Sequence, residues 1–122
     1  MNLDQVKKVF VDNGFSQTNE TKKALEYHST TNEEYIYVKQ EYPITCELRI
    51  VLHPKFAVVH GALSGEAAKH QMWHHSSSLR KFPKRLHEGK DPIHYGIAIE
   101  LSSTRDLEAF LASFQNPSRF LV

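Results

Sequence analysis

Apolar and polar residues alternate most clearly over residues 46–53. One parity holds Cys46, Leu48, Ile50 and Leu52, and the other holds Glu47, Arg49, Val51 and His53. Successive side chains of a β-strand point to opposite faces of its sheet, so this alternation predicts a strand with one buried and one open face. Residues 93–101 repeat the pattern, with His94, Gly96, Ala98 and Glu100 on the less apolar side. Two such strands predict a sheet that is backed by helices on one side.

Helical spacing marks both ends of the chain. Leu3, Val6 and Phe10 recur at helical intervals after the potential N-cap Asn2, which predicts a helix over about residues 3–13. Asn13-Gly14 supplies the residue that ends it. A second helix is predicted after the cap Ser102 or Ser103, with Asn116-Pro117 as its stop. Its buried stripe is predicted to consist of Leu107, Phe110, Leu111 and Phe114.

The middle of the chain is rich in strand-forming residues. Residues 24–28 and 35–39 are predicted strands that form an antiparallel meander with residues 46–53. Residues 56–60 are a possible fourth strand, and residues 66–75 have a helix-favouring composition. Residues 79–92 are predicted to be an extended or looping connection, a kind of segment that often meets partners. Together these elements predict one α+β domain over residues 1–122, with two layers, a mainly antiparallel sheet and helices packed on one face.

Composition narrows the function classes only a little. The chain has 122 residues, 40% of them hydrophobic, and a formal charge of +1, which gives no overall attraction to nucleic acid or acidic membranes. A single cysteine, Cys46, cannot form an internal disulfide and suits a reducing compartment. The sequence shows no secretory signal pattern and no apolar stretch of about 20 residues. We therefore expect a cytoplasmic protein without a membrane span.

The predicted open face of the sheet is the first candidate site. We expect it to bind a protein partner through Tyr35, Tyr37, Arg49, His53, His94 and Gly96. Gly96 and Ala98 would leave a shallow trough that another backbone or ring can approach. The alternative is that residues 65–90 simply cover this face.

The basic segment over residues 80–90 is the second candidate. Its predicted phosphate-binding or acidic-partner-binding residues are Arg80, Lys81, Lys84 and Arg85. Contacts of this kind to a nucleic-acid backbone give salt-dependent binding without sequence reading. A solvated loop and an acidic protein partner are the alternatives.

Histidines provide the third candidate. His70 and His74 are four residues apart, a spacing that lets two imidazoles on one helix reach a metal ion. A third ligand would have to come from His53, His87 or His94, and solvated or packing histidines are the alternative. Cys46 is predicted to point inward, and the serines near His74 lack the context of a nucleophile elbow. We therefore expect no cofactor and no enzymatic activity.

Several short motifs resemble a known family. They are Tyr35-Ile36-Tyr37-Val38, Val51-Leu52-His53-Pro54, Phe82-Pro83, His94-Tyr95-Gly96-Ile97 and Ser102-Ser103 with Leu107. This pattern, from about Leu3 to Phe114, resembles the YgaC-like family of small bacterial proteins of unknown function. The resemblance implies a two-layer α+β fold like that of type III secretion chaperones and of the N-terminal domain of TfoX-type competence regulators. Residues 65–75 depart from the pattern, and the resemblance supplies no catalytic residues.

These observations lead to one main hypothesis. The chain is expected to be a non-enzymatic regulatory or adaptor domain that binds a protein partner, with a homodimer as its expected assembly. Nucleic-acid binding through residues 80–90 is the first alternative. A metal-dependent enzyme built on His70 and His74 is the second.

Overall fold

Two helices and seven strands make up the described part of the chain, residues 2–40, 48–57, 72–89 and 91–115 of a computed structural model. In chain order they are α1 (Leu3–Asp12), β1 (Phe15–Glu20), β2 (Ala24–Ser29), β3 (Tyr35–Lys39), β4 (Leu48–Leu52), β5 (Met72–His75), β6 (Lys84–Leu86), β7 (Pro92–Leu101) and α2 (Thr104–Phe114). A short 3-10 turn, Pro54–Ala57, follows β4.

Both helices begin where the sequence predicts, and α1 also ends there; α2 ends at Phe114, and its predicted stop Asn116-Pro117 lies outside the described residues. The Asn2 side chain accepts a hydrogen bond from the Gln5 amide at 2.9 Å, and the Gln5 side chain accepts one from the Asn2 amide at 3.0 Å. Gly14 follows α1 with a φ of +82°, a conformation that glycine adopts without strain. The Ser103 hydroxyl accepts from the Asp106 amide at the start of α2. The predicted stripe of α2 is buried.

The strands form one antiparallel sheet in the order β1-β2-β3-β4-β7-β5. The short β6 pairs with the beginning of β7, at residues 92–94. The predicted meander of β2, β3 and β4 is confirmed. Strands β1 and β6 were not predicted, because β1 buries only Phe15 and β6 buries no residue.

The main core lies between the helices and one face of the sheet. Val6 and Phe10 of α1 and the stripe of α2 pack there against alternate residues of the central strands. The strand residues in this core include Leu25, Tyr27, Ile36, Val38, Leu48, Ile50, Leu52, Ile97, Ile99 and Leu101. The predicted α+β fold, with a mainly antiparallel sheet and helices on one face, is confirmed.

The opposite face of the sheet is covered at its centre, contrary to the open face that the sequence predicts. Leu79 and Phe82 pack there against Tyr37, Val51 and Ala98 of the strands, together with Ala24. We call residues 79–83 the covering segment. The alternative that part of residues 65–90 covers this face is therefore correct for the covering segment.

Two predictions for the region after β4 are wrong where the structure describes it. Phe56 and Ala57 lie in the 3-10 turn rather than at the start of a strand. Met72–His75 is a strand rather than the end of a helix, because its backbone pairs with residues 95–98 of β7. Tertiary pairing of this kind overrides local helix preference. The predictions for residues 58–71, which include His70, and those for Cys46 and Glu47 lie outside the described residues.

Candidate functional site

The six residues predicted to bind a partner lie on or beside the covered face, but two of them are buried. Tyr37 is only 1% exposed, and Gly96 is buried against Val51 and Phe82. A partner therefore cannot reach Tyr37 or Gly96 while the covering segment stays in place.

The other four residues of that set make contacts within the chain. Arg49 pairs with Glu100 across β4 and β7 at 2.6 Å, and Tyr35 packs against the His28 ring with centroids 4.6 Å apart. His94 Nδ1 donates to the Phe82 carbonyl at 2.6 Å. These contacts help hold the covering segment and the strands together.

His53 follows β4 and lies against the covering segment. Its ring is 5.5 Å from that of Phe82, and its Nδ1 accepts the Lys55 amide at 3.0 Å. Burial lowers the pKa of His53, the positive charge of Lys55 lowers it further, and Glu34 opposes them. The neutral imidazole is therefore the form that fits this site.

A buried carboxylate anchors the covering segment. Glu26 of β2 is 1% exposed and accepts hydrogen bonds from Tyr37 Oη at 2.6 Å and from Thr18 Oγ1 at 2.7 Å. Arg80 closes the network with two bonds of 3.0 Å to the two carboxylate oxygens. Burial by itself would raise the pKa of Glu26, but the bonds from Arg80, Tyr37 and Thr18 outweigh it and lower the pKa. This network is structural in character, because each of its bonds satisfies a buried group.

The predicted basic site is divided among several environments. Arg80 is held by Glu26, and the Lys81 ammonium lies 5.4 Å from the centre of the Tyr35 ring. Lys84 is exposed on β6. Arg85, the next residue, points to the opposite face of its strand and joins a different set of side chains.

That set forms the candidate site, which we call the arginine–aromatic cluster: Trp73, His75, Arg85, His87 and Tyr95. Trp73 and His75 come from β5, Arg85 from β6 and Tyr95 from β7. Their registers, His75 beside Tyr95 and Arg85 beside Ile93, bring them to one face of the sheet. His87 follows β6 at the same parity as Arg85.

Arg85 lies at the centre of the arginine–aromatic cluster. Its guanidinium carbon is 4.7 Å from the Trp73 ring centre and 4.3 Å from the Tyr95 ring centre, which places the cation within the range of cation–π attraction for both rings. Its Nε donates to His75 Nε2 at 3.0 Å. The guanidinium is thus fixed by two rings and one hydrogen bond.

The two histidines of the cluster stack on each other. Their ring centres are 3.7 Å apart and the planes are 7° from parallel. Burial lowers the pKa of His75, the charges of His87 and Arg85 lower it further, and Glu88 opposes them. Because Nε2 accepts the bond from Arg85, the fitting form of His75 is neutral with its proton on Nδ1.

The structure removes the geometric basis of the predicted metal site. His74 lies on β5, so the helical spacing that would have joined it to His70 does not apply at this residue. No group of three potential metal ligands is present among the residues that the structure describes. The expectation that the chain binds no cofactor stays a prediction.

The sequence analysis did not bring the members of the arginine–aromatic cluster together, because it assigned Arg85 to the basic site and His87 to a possible metal site. A signal was available in the spacing, because Trp73 and His75, and likewise Arg85 and His87, are two residues apart, as on a strand. The predicted helix over residues 66–75 hid this spacing. This spacing does not indicate which strands pair with each other.

No helix in the described ranges is long and apolar enough to cross a membrane.

Comparisons with known proteins place the chain in a family. A search of curated proteins found no match. A family model described as "Protein of unknown function (DUF2002)" matches residues 1–115. The chain therefore belongs to the DUF2002 family.

Proposed function

We propose that this chain is a non-enzymatic domain that binds a protein partner through the arginine–aromatic cluster. The observation that carries the proposal is the half-exposed indole of Trp73, 49% accessible, stacked with Arg85 beside Tyr95. Tryptophan, arginine and tyrosine are the residue types most enriched among the residues that dominate binding energy at protein interfaces.

The rigidity of the cluster supports the same function. Binding through a long side chain normally costs conformational entropy, because the side chain must be ordered in the complex. Arg85 is already held by Trp73, Tyr95 and His75 in the free chain. Arg85 therefore loses less conformational entropy when a partner binds.

The remaining parts of the functional hypothesis belong to this proposal. They are a regulatory or adaptor role, a bacterial cytoplasmic setting, a homodimeric assembly, and kinship with the YgaC-like group and its TfoX-like fold. The short motifs named above support the kinship, and no described contact bears on the assembly.

Affinity capture from the native host with matched variants tests the proposal. Trp73→Ser removes the exposed indole, and Val11→Ser removes another exposed apolar side chain from α1, which lies outside the cluster. We expect the wild type and Val11→Ser to retain the same partner and Trp73→Ser to lose it. A hot-spot loss of about 2 kcal/mol corresponds to roughly 30-fold in affinity.

A third variant separates the two faces of the sheet. Arg49→Ala changes the face that the sequence analysis favoured. Loss of the partner with Arg49→Ala but not with Trp73→Ser would move the interface to that face. Equal capture by all variants would contradict binding at either position.

Nucleic-acid binding is the second candidate function, since the rings of Trp73 and Tyr95 with a cation resemble a base-stacking platform. Arg85 occupies the space beside both rings and Arg80 is paired with Glu26, which leaves Lys81 and Lys84 of the predicted set for phosphate contacts. We therefore expect no retardation of a single-stranded oligonucleotide in gel shifts from 50 to 200 mM salt, the range over which about six phosphate contacts to a single strand would lose roughly 300-fold in affinity. Retardation at low salt that disappears with added salt would favour this second function.

A further inference from the structure

We propose that the arginine–aromatic cluster is a carboxylate-binding site and that its ligand is an acidic peptide segment of the partner. An aspartate or glutamate side chain of that segment pairs with the terminal nitrogens of Arg85, and an adjacent apolar side chain covers the Trp73 indole. This inference rests on the proposed function and names the chemistry of its partner.

The orientation of Arg85 determines which of its groups are left for a ligand. A guanidinium has five N–H donors in a flat fork. The donor on Nε is used by His75, and the rings of Trp73 and Tyr95 lie against the guanidinium. Four N–H groups remain, on Nη1 and Nη2, and one from each nitrogen forms the end edge that a carboxylate recognises with two parallel hydrogen bonds.

Within the described ranges, those four donors have no carboxylate partner. The nearest acidic residue along the chain is Glu88, which lies between β6 and β7. Its negative charge raises the pKa of His75. No ion pair joins Glu88 to Arg85 among the described residues. Arg85 therefore presents an oriented cation to an incoming anion.

Charge favours a single carboxylate over a polyphosphate backbone. Arg85 is the one permanent positive charge among the five residues of the cluster, and the negative charge of Glu88 lies nearby. A nucleic-acid backbone gains affinity by contacting many cations at once. Lys84, the nearest further cation along the chain, points to the other face of β6.

The indole of Trp73 determines the second feature of the ligand. Half of this large ring is accessible. Covering it would remove apolar area from water, which a lone carboxylate cannot do. A peptide with an acidic residue beside an apolar one fits both parts of the cluster.

Peptide selection tests this inference directly. A phage-displayed library of random heptapeptides is selected on the wild-type chain and, in parallel, on Arg85→Gln. We expect peptides selected on the wild type to be enriched in aspartate or glutamate next to an apolar residue, and this enrichment to disappear on Arg85→Gln. Each selected peptide is then compared with its Asn- or Gln-substituted counterpart by fluorescence of Trp73, the single tryptophan of the chain.

Two further variants sharpen the measurement. Loss of a charged hydrogen-bonded pair is expected to weaken binding about tenfold or more, both in the amide-substituted peptide and in Arg85→Gln. Arg85→Lys keeps the charge but loses the flat fork, so it should also weaken binding. Lys84→Gln removes the same charge from the opposite face of β6 and should change affinity less than about twofold.

The outcomes separate this inference from the proposed function. Selected peptides without acidic enrichment that still need Trp73 would overturn the carboxylate site and leave partner binding intact. Equal losses from Lys84→Gln and Arg85→Gln would show general charge attraction and overturn the site as well. Binding of a dT15 oligonucleotide that depends on Arg85 would assign the cluster to nucleic acid instead. Failure to select any peptide, together with Trp73-independent capture from the host, would overturn both.

Discussion

At the scale of single residues, two networks assign different tasks to arginines that look alike in the sequence. Arg80 and Arg85 both belong to the basic segment, yet Arg80 neutralises the buried Glu26, whereas Arg85 lies over two neighbouring aromatic rings. Replacing Arg80 is therefore expected to lower the stability of the fold, whereas replacing Arg85 is expected to weaken binding.

Replacement of Arg80 by methionine is expected to destabilise the fold by about 2 kcal/mol at pH 7, because Glu26 would remain buried without its counter-charge. In the variant, burial would raise the pKa of Glu26. The loss should therefore shrink as the pH falls toward 4.5 and Glu26 takes up a proton. Urea unfolding at both pH values measures the difference.

The stability of the wild type is also expected to fall between these pH values and below. Its Glu26 has a lowered pKa in the folded state, so the stability contributed by this carboxylate is present above 4.5 and is lost as the pH falls below that value. The double variant Glu26→Gln/Arg80→Met serves as the control and should be more stable at pH 7 than Arg80→Met alone. An equal loss for Arg80→Met at both pH values would contradict this account.

His75 is expected to make stability depend on pH in the mildly acidic range. Its pKa is lowered in the folded state by burial and by the charges of His87 and Arg85, against the opposing effect of Glu88. Below about 6.5 the unfolded chain then takes up a proton that the folded chain resists, so stability falls as the pH falls. The slope from one such histidine is at most about 1.4 kcal/mol per pH unit.

Chemical denaturation between pH 7.5 and 5 tests this expectation. His75→Gln should reduce the slope of stability against pH. The residual slope should include a contribution of the same sign from His53, whose pKa is also lowered. An unchanged slope in His75→Gln would place the pH dependence elsewhere.

At the scale of elements, the close approach of β7, β4 and the covering segment depends on a glycine. A Cβ at Gly96 would lie 2.5 Å from the Leu52 carbonyl oxygen, 2.7 Å from Val51 Cγ1 and 3.0 Å from Phe82 Cδ2. The Leu52 carbonyl belongs to the β4 backbone and cannot turn aside as a side chain can. The strand pair and the covering segment can thus pack this closely only because residue 96 has no side chain.

Gly96→Ala is expected to destabilise the fold by about 2 kcal/mol, the usual cost of overfilling a packed site. Gly89→Ala is the matched control, because a Cβ there would meet only the His87 carbonyl oxygen, at 3.8 Å. Thermal unfolding should show a lower Tm for Gly96→Ala and little change for Gly89→Ala. Equal Tm values would mean that β4 and β7 can separate at this point without cost.

At the scale of the whole molecule, the sheet is covered on both faces by parts of the chain that are distant in sequence. The helices cover one face, and the covering segment covers the centre of the other. Strands β4 and β7 contribute to both apolar clusters, Ile50 and Ile99 to the first and Val51 and Ala98 to the second. This sharing couples the two faces.

We therefore expect the chain to unfold in one cooperative transition, as small domains usually do. Fluorescence of Trp73 reports on β5, and far-ultraviolet circular dichroism reports on all helices and strands. The two denaturation curves should coincide. A fluorescence transition at lower denaturant would show that β5 opens separately and that the arginine–aromatic cluster is not coupled to the core.

Local patterns determined the elements whose physics is local. The caps Asn2 and Ser103 and the turn residue Gly14 act within a few residues of themselves, so the sequence by itself located both helices. The alternation of residues 48–52 and 93–101 likewise identified two interior strands of the sheet, β4 and β7, and their core-facing side. The α+β arrangement followed from these elements.

Only the tertiary structure decided what covers the second face and which side chains meet on β5, β6 and β7. The Lys81 amide donates a hydrogen bond to Tyr37, 44 residues earlier in the sequence, and Arg80 donates to Glu26, 54 residues earlier. Periodicity carries no information over such sequence separations. The arginine–aromatic cluster exists because β5 and β6 both pair with β7, although helix-favouring composition argues against β5. Long-range backbone pairing outweighed local preference there, and for that physical reason the sequence alone could not reveal this surface.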